Sequence, residues 1–557
     1  MTGLVEPKSG GQVLIEGLIL RGVDTVYCVP GESYLGALDA LYECQDKIRV
    51  ISCRQEGGAS YMAEAHGKLT KTPGICFVSR GPGAANAMIG IHTAFQDSTP
   101  LILFVGQISR SDRFREAFQE LDYRQVYGSV AKDVLVIDQA ERIPELLQQA
   151  WNTALGGRPG PVIVELPEDM LVDQVSVFDK VAGPVVPSSP GTEGIAQVIE
   201  WLQHASRPLV ICGGAGWTSQ ASEWLTKLSE HWQVPVITSF RRSDSFCNRH
   251  PNYIGELGLA PNPELVSQVQ ACDLLLVIGP RLGDITTSGY AHFPLPGAGD
   301  QSADSSSPRR LVHVHIAPEE INRVFTVDLG IVSQPAACLR RLCETTDAMI
   351  AGPKNDGNPK EWMVSLKTAY QRFIEAPRFT DAAVRMDEIA AFLRGVLPPD
   401  AIITNGAGNY TTWTQRHYQF SQYGTQLATT NGSMGYGVPA AVAAKLVCPD
   451  QMVVSFSGDG CFLMNGQELA TAVQYRLKIL FLVINNGTFG TIEMHQRRRY
   501  PDRPIATALE NPDFAALAQA YGAFGDTVNA TSEFESIYRR AQDHPGPALI
   551  DIKTDYF

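Results

Sequence analysis

Short apolar runs alternate with helical patterns almost from end to end of this chain, and that alternation constrains its fold more than any other feature. GICFV (74–78), PLVIC (208–212), LLLVI (274–278), VVSFS (453–457) and KILFLVIN (478–485) are among the runs. Strand and helix in turn make parallel neighbours, so the expected class is α/β, with sheets flanked by helices on both faces. At 557 residues the chain exceeds what one hydrophobic core serves, so several sheets are needed.

Two seams interrupt the pattern. DKVAGPVVPSSPGTEG (179–194) and AGPKNDGNPK (351–360) have the Pro, Gly and polar content of linkers. They predict three domains, 1–180, 190–350 and 365–557. A low-complexity stretch, GAGDQSADSSSPRR (297–310), reads as a mobile surface loop in the middle block. In the first and last blocks an apolar strand runs into a glycine-rich turn and a helix. Two copies of one architecture would look like this, although no sequence repeat is visible.

Charge narrows the partners. Lys and Arg number 45 against 59 Asp and Glu, a net −14, which argues against nucleic acid or an anionic membrane. No stretch is long and apolar enough to span a bilayer, and MTGLVEPKSGGQVLIEGL lacks the basic and apolar regions of a secretion signal. The 11 cysteines show no CxxC or metal spacing, and Cys76, Cys212 and Cys272 lie in apolar surroundings, as reduced buried thiols do. A cytoplasmic protein is expected.

The chemistry concentrates in GDGCFLMNGQELATAVQYRLKILFLVINNGTFG (458–490). VVSFS reads as a strand, 458–465 as a loop, GQELATAVQY (466–475) as a helix and KILFLVIN as the next strand. Asn465 and Glu468 have the spacing of a capping box. Parallel neighbours would bring Asp459 and Asn486 together at the carboxyl edge of the sheet, where open α/β sheets bind ligands. Their oxygens suit a hard cation, and the glycines let backbone approach an anion. A tight turn beside an unrelated asparagine pair would look the same locally.

GDG, 24 residues (461–484) and Asn485-Asn486 resemble the cofactor motif of thiamine diphosphate-dependent enzymes. The internal pattern GDG-x-F-x-M-N-x-Q-E-L is similar to their acetolactate synthase branch, and the resemblance covers essentially the whole chain. It implies thiamine diphosphate and Mg²⁺, with the metal held by Asp459, Asn486 and the Thr488 carbonyl. Gly458, Gly460 and Cys461 would face the diphosphate. SCRQEGGASYMAEAHGK is similar to the family's activating segment, with Glu56 as the carboxylate on the cofactor's pyrimidine ring; burial is expected to raise its pKa. Pro30 and Asn86 are implied as cofactor contacts in the same block. TTNGSMGYGVPAAVAAK (429–445) places Met434 beneath the bent cofactor. NGAGNYTTW (405–413) supplies Asn409 and Tyr410, where acetolactate synthases have other polar residues.

Because Glu56 and Asp459 stand in different blocks, the resemblance implies active sites shared between subunits, in a homodimer or homotetramer. The three blocks correspond to pyrimidine-binding, central Rossmann-like and diphosphate-binding domains. RPLVICGGAGW and ACDLLLVIGPRLGD are similar to the central domain, which holds FAD in acetolactate synthases and is empty or binds another nucleotide in many relatives.

The implied reaction is decarboxylation of a 2-keto acid, pyruvate by default, with ligation to an acceptor carbonyl. Phe118 and Gln119 match the pair lining the substrate side, with Glu493 and His495 as further candidates. Two positions depart from the pattern. His495 stands where the synthases carry the Trp that selects the acceptor, and Arg80 precedes the GPG turn where they have a small polar residue. A non-oxidative 2-keto acid decarboxylase is the first alternative: TIE (491–493) resembles its catalytic glutamate segment one residue late, but the chain has no His-His pair. A lyase or decarboxylase acting on an acyl-CoA is the second, with Arg497, Arg498 and Arg499 meeting phosphates. A non-catalytic scaffold is the third, and the presence of Glu56, Asp459 and Asn486 argues against it.

Overall fold

The computed structural model describes residues 6–183, 189–291, 309–349, 352 and 359–555. Most of the stretch read as a loop at 297–310 lies outside the described residues.

Three six-stranded sheets, parallel throughout, carry the fold. The first holds β1 (Thr25–Cys28), β2 (Arg49–Ser52), β3 (Gly74–Val78), β4 (Leu101–Gln107), β5 (Asp133–Val136) and β6 (Pro161–Pro167), in the spatial order β2-β1-β3-β4-β6-β5. The second holds β7 (Pro208–Cys212), β8 (Val236–Thr238), β9 (Tyr253–Glu256), β10 (Leu274–Ile278), β11 (Arg310–His315) and β12 (Leu329–Val332), ordered β9-β8-β7-β10-β11-β12. The third holds β13 (Ile402–Asn405), β14 (Gln426–Ala428), β15 (Val453–Gly458), β16 (Leu480–Asn485), β17 (Phe524–Val528) and β18 (Ala548–Lys553), ordered β14-β13-β15-β16-β18-β17. The first and third sheets therefore share one strand order despite having no visible repeat. The second has the doubly wound order of dinucleotide-binding folds. A short antiparallel pair, Lys8–Ser9 with Gln174–Val175, closes the start of the chain onto the end of the first unit.

Burial explains why these strands read so clearly. Every residue of β3, β4, β6, β10, β15 and β16 is buried, as strands covered on both faces must be. Two helices couple the first and third sheets: α1 (Glu56–Thr70) and, after a further helix α2 (Pro82–Asp97) in the first unit, α3 (Gly437–Val447) in the third. Tyr61, Met62 and Ala63 of α1 share one apolar cluster with Tyr436, Val438 and Ala441. Buried polar groups there are paired: the Tyr436 hydroxyl donates to Glu64 Oε2 at 2.6 Å, and Thr99 donates to Glu64 Oε1 at 2.7 Å.

Among the described residues no helix is long and apolar enough to cross a membrane. All 11 cysteines are unpaired, and Cys76, Cys212 and Cys272 are buried.

Candidate active site

A cavity of about 210 Å³ opens at the carboxyl edge of the third sheet. It sits where strand order reverses between β13 and β15, the switch point at which the loops on either side diverge and leave a crevice. The turn after β13 contributes Asn409 and Tyr410, and Met434 follows β14. Gly458 to Cys461 close β15, and Asn486 and Thr488 follow β16. All of these are residues singled out in the sequence.

Asp459 and Asn486 do meet across adjacent strand ends, because β15 and β16 pair in register from Val454–Leu480 to Gly458–Ile484. The Asp459 carboxylate is buried and accepts the Gly460 N–H on Oδ1 at 2.8 Å. On Oδ2 it accepts the Gly487 N–H at 2.8 Å and Asn511 Nδ2 at 2.7 Å. Burial pushes its carboxyl pKa up against the pull of these donors. The Asn486 backbone N–H also bonds this carboxylate. The donor set fits Mg²⁺, which takes one or two carboxylates and fills its octahedron with phosphate and water. The two asparagines divide their work: Asn485 turns into the protein and donates to Asp551 Oδ1 at 3.0 Å, while Asn486 lines the cavity.

The glycines on either side of Asp459 are fixed by rings. A Cβ on Gly458 would stand 2.8 Å from Tyr410, and one on Gly460 would stand 2.5 Å from Phe489. Tyr410 is itself buried, donates to Cys461 Sγ at 3.1 Å, and has its phenol pKa raised by burial and by the neighbouring thiol. Met434 is half-buried at the cavity wall, and its carbonyl accepts from the Tyr61 hydroxyl at 3.1 Å.

Two local expectations are corrected. Residues 459–465 form a short helix, α4 (Asp459–Asn465), rather than a loop, followed by a 3₁₀ turn (Gly466–Glu468) and a further helix (Leu469–Gln474). The Asn465–Glu468 capping box does not form. Asn465 Nδ2 instead donates to the Gly435 carbonyl at 3.1 Å, and Glu468 accepts the backbone amides of Arg54 and Gln55 at 3.0 and 3.1 Å. Tertiary partners outbid the local pairing because both side chains are buried against other segments.

The remaining predicted residues gather at the matching edge of the first sheet. Pro30 follows β1, Glu56 follows β2 and opens α1, Asn86 lies in α2 after β3, and Phe118 and Gln119 follow β4. Asn86 Nδ2 donates to Glu56 Oε2 at 2.9 Å. In the single chain Glu56 is half-buried rather than buried, contrary to expectation, and Pro30 and Phe118 are exposed. The same strand order thus places predicted residues after the first four strands of both sheets. Every residue lining the cavity lies between 407 and 492, so this chain's own Glu56 is not part of the wall.

Glu493 and His495 lie on α5 (Gly490–Arg499) without lining the cavity, which takes Thr491 and Ile492 from that helix instead. His495 is exposed. Glu493 accepts the Thr488 hydroxyl at 2.7 Å and pairs with Arg497 at 2.6 Å, and these two partners hold its carboxyl below the usual range. Sequence reasoning missed the apolar wall (Trp413, Ile484, Phe489) and Asn511. Asn511 had no local signal: it arrives because the chain returns antiparallel along the site, through the Thr488–Ala508 bridge.

A buried carboxylate, a switch-point cavity and a glycine-flanked turn describe a ligand site at the carboxyl edge of an α/β fold. Comparison with known proteins makes this specific. Residues 8–126 match the thiamine pyrophosphate enzyme N-terminal TPP binding domain, 195–342 its central domain and 406–552 its C-terminal TPP binding domain. The acetolactate synthase large subunit of Parasynechococcus marenigrum (strain WH8102) is 30% identical over 555 residues, 98% of this chain and 87% of that protein. That of Corynebacterium glutamicum is 30% identical over 568 residues, with the same coverage of 98% and 87%. The isozyme 3 large subunit of Escherichia coli (strain K12) is 30% identical over 542 residues, 96% of this chain and 92% of that protein. The chain belongs to the thiamine pyrophosphate enzyme family, in its acetolactate synthase-like branch, and is an enzyme that uses thiamine diphosphate.

Proposed function

We propose that this enzyme decarboxylates a 2-keto acid, pyruvate as donor, and ligates the remaining acyl carbon to a second carbonyl, with Mg²⁺ anchoring thiamine diphosphate. The observation that carries the reading is the cavity itself, where Asp459 and Asn486 converge beneath an apolar wall. When bound, thiamine diphosphate supplies the nucleophilic carbon and the electron sink for decarboxylation. Asp459 and Asn486 would hold the metal through side-chain oxygens and Thr488 through its carbonyl, while Tyr410 and Asn409 bound the site. Met434, Ile484 and Phe489 exclude water, which favours ligation over release of an aldehyde.

Glu56 would hold and move the activating proton on its carboxylate, with Oε2 oriented by Asn86. Since the wall of the cavity contains no residue before 407, a second copy of the chain would supply that glutamate. This supports a homodimer, or a pair of dimers, with two-chain active sites. The crevice at the switch point of the central sheet, lined by Gly214, Ser239, Arg242 and Arg281, is where the FAD of the resemblance would sit; a flavin spectrum of the purified protein tests it.

Incubation with Mg²⁺, thiamine diphosphate and pyruvate, with the products resolved, tests the function. Acetolactate is expected. Acetaldehyde alone would replace this reading with the decarboxylase, and untouched pyruvate would overturn the donor assignment.

A further inference from the structure

We propose that Arg241, which comes from the central unit, is a positioning residue for the catalytic cavity: it holds the turn that carries Met434 into the cavity wall. This rests on the reading above that Met434 bounds the cofactor, and it gives the reaction a residue from the central unit. Between β14 and α3 the chain runs from Thr429 to Tyr436 without helix or strand. Gly432 and Met434 of that turn line the cavity. Gly432 and Gly435, which bracket Ser433 and Met434, have left-handed backbones with φ of 72° and 82°. No ladder fixes such a segment, so side chains from elsewhere must. Arg241 stands three residues beyond the end of β8 and is buried. Its Nη1 donates to the Thr429 carbonyl and, at 3.2 Å, to the Thr429 hydroxyl oxygen. That hydroxyl donates onward to the Ser433 carbonyl at 3.3 Å, closing the turn one residue before Met434. Arg241 thus grips one end of the turn, and Tyr61 holds the other at the Met434 carbonyl.

Two costs mark this arginine as more than packing. Its own backbone is left-handed, at φ 55°, although it carries a Cβ. Glu256 at the end of β9 holds it there, accepting its N–H on Oε1 at 3.1 Å. Its guanidinium is buried without an ion-pair partner among the described residues, and Nη2 makes no hydrogen bond. The neighbouring Arg242, by contrast, has Asp97 at 3.8 Å. A methionine would fill the same space without an unpaired charge or an unmet donor. It would not supply one nitrogen that reaches both the carbonyl and the hydroxyl of Thr429. That grip is what the arginine adds, and it acts on the segment that ends at Met434.

The test compares full-length wild type, Arg241→Met, Arg241→Lys, Met434→Ala and the double variant Arg241→Met/Met434→Ala. Thiamine diphosphate affinity is read by quenching of intrinsic fluorescence, with Mg²⁺ present and no substrate. Arg241→Met should weaken it about tenfold, the worth of a charge-assisted hydrogen bond. With pyruvate, kcat should fall about 10- to 100-fold, as a displacement of roughly 1 Å near the reacting atoms produces, while KM changes little. Arg241→Lys keeps a donor for the Thr429 carbonyl and should recover part of both losses. A residue that acts through Met434 loses its effect once Met434 is gone, so adding Arg241→Met to Met434→Ala should change affinity little. Additive losses, or an unchanged affinity in Arg241→Met, would overturn the proposal. Should Arg241→Met fail to fold by thermal melting, Thr429→Val takes its place in the same cycle, since it removes only the hydroxyl link. Its expected loss is about fivefold in affinity, one hydrogen bond's worth, and no loss there overturns the proposal equally. If the wild type leaves pyruvate untouched, the donor assignment fails by itself, and the substrate-free affinities still decide Arg241.

Discussion

The buried carboxylate of Glu468 accepts the backbone amides of Arg54 and Gln55, at 3.0 and 3.1 Å, and so ties the segment that follows GDG to the residues just before Glu56. Its other oxygen takes the Thr471 hydroxyl at 2.6 Å. Gln55 caps α1 by accepting the Gly58 N–H, so Glu468 fixes the start of the helix that Glu56 opens. Glu468→Ala would leave two part-buried amides without their acceptor, at about 1 kcal/mol each. The expected outcome is a lower melting temperature and a depressed kcat, with thiamine diphosphate retention little changed. An unaltered kcat in a destabilised variant would show that the contact serves folding alone.

Glu56→Gln should abolish turnover while leaving Mg²⁺-dependent cofactor binding intact. Asp459→Ala should be inactive for the opposite reason. If each active site takes Glu56 from one chain and Asp459 from the other, mixed dimers contain one intact site. Random reassortment of the two inactive variants should then restore roughly one quarter of wild-type activity, since half the dimers are mixed and each has one good site of two. Assay of the unfractionated mixture measures this, and the mixed dimer isolated by co-expression with distinct tags should alone show about one half of wild-type activity. No recovery would place the whole site within one chain.

Much of this arrangement was legible in the sequence, for a physical reason. Strands buried on both faces cannot hide their composition, so the α/β class and the turns after β3, β15 and β16 could be located from the apolar runs. Asp459 and Asn486 could be paired because parallel strands joined by a crossover align their ends. Three features were not legible. Glu468 fits a capping box at Asn465 by spacing, and only the fold brings the competing amides of residues 54 and 55 within reach. Asn511 contacts Asp459 across 52 positions with no periodicity to announce it. The shared strand order of the first and third sheets is a property of topology, which sequence without visible repeats does not display.

Asp459→Ala also makes a binding prediction independent of oligomeric state. Removal of the carboxylate takes away the buried charge that would face the metal and leaves the Gly487 amide and Asn511 without their acceptor. The apparent Kd for thiamine diphosphate should rise at least about tenfold, equivalent to about 1.4 kcal/mol. Raising Mg²⁺ and cofactor together should recover part of the activity. Titration by quenching of intrinsic fluorescence measures the affinity, and an unchanged Kd would remove Asp459 from the metal site.

Asp97, at the end of α2, joins all three sheets' surroundings through one buried carboxylate. It accepts from Lys68 in the first unit, lies 3.8 Å from Arg242 Nη2 in the second, and accepts the Thr430 amide at 2.7 Å and the Thr430 hydroxyl in the third. Burial alone would raise its pKa, but Lys68 and Arg242 outweigh that and bring it down to about 2. A carboxyl with a folded pKa below its unfolded value binds its proton more weakly when folded. Its contribution is therefore complete above the ordinary pKa of 3.8 and is lost as pH falls from there towards about 2. Asp97→Asn should flatten that part of the acid-unfolding profile. At neutral pH it should also destabilise the protein by about 3 to 5 kcal/mol, because two buried cations lose their counter-charge. Because Thr430 opens the segment that carries Met434 to the cavity wall, cofactor affinity should fall along with stability. Melting curves across pH 2 to 7, paired with thiamine diphosphate titration, read both effects. A variant with wild-type stability at pH 7 would show that Lys68 finds sufficient compensation in Glu64, 3.0 Å away, and that the carboxylate is dispensable to the junction.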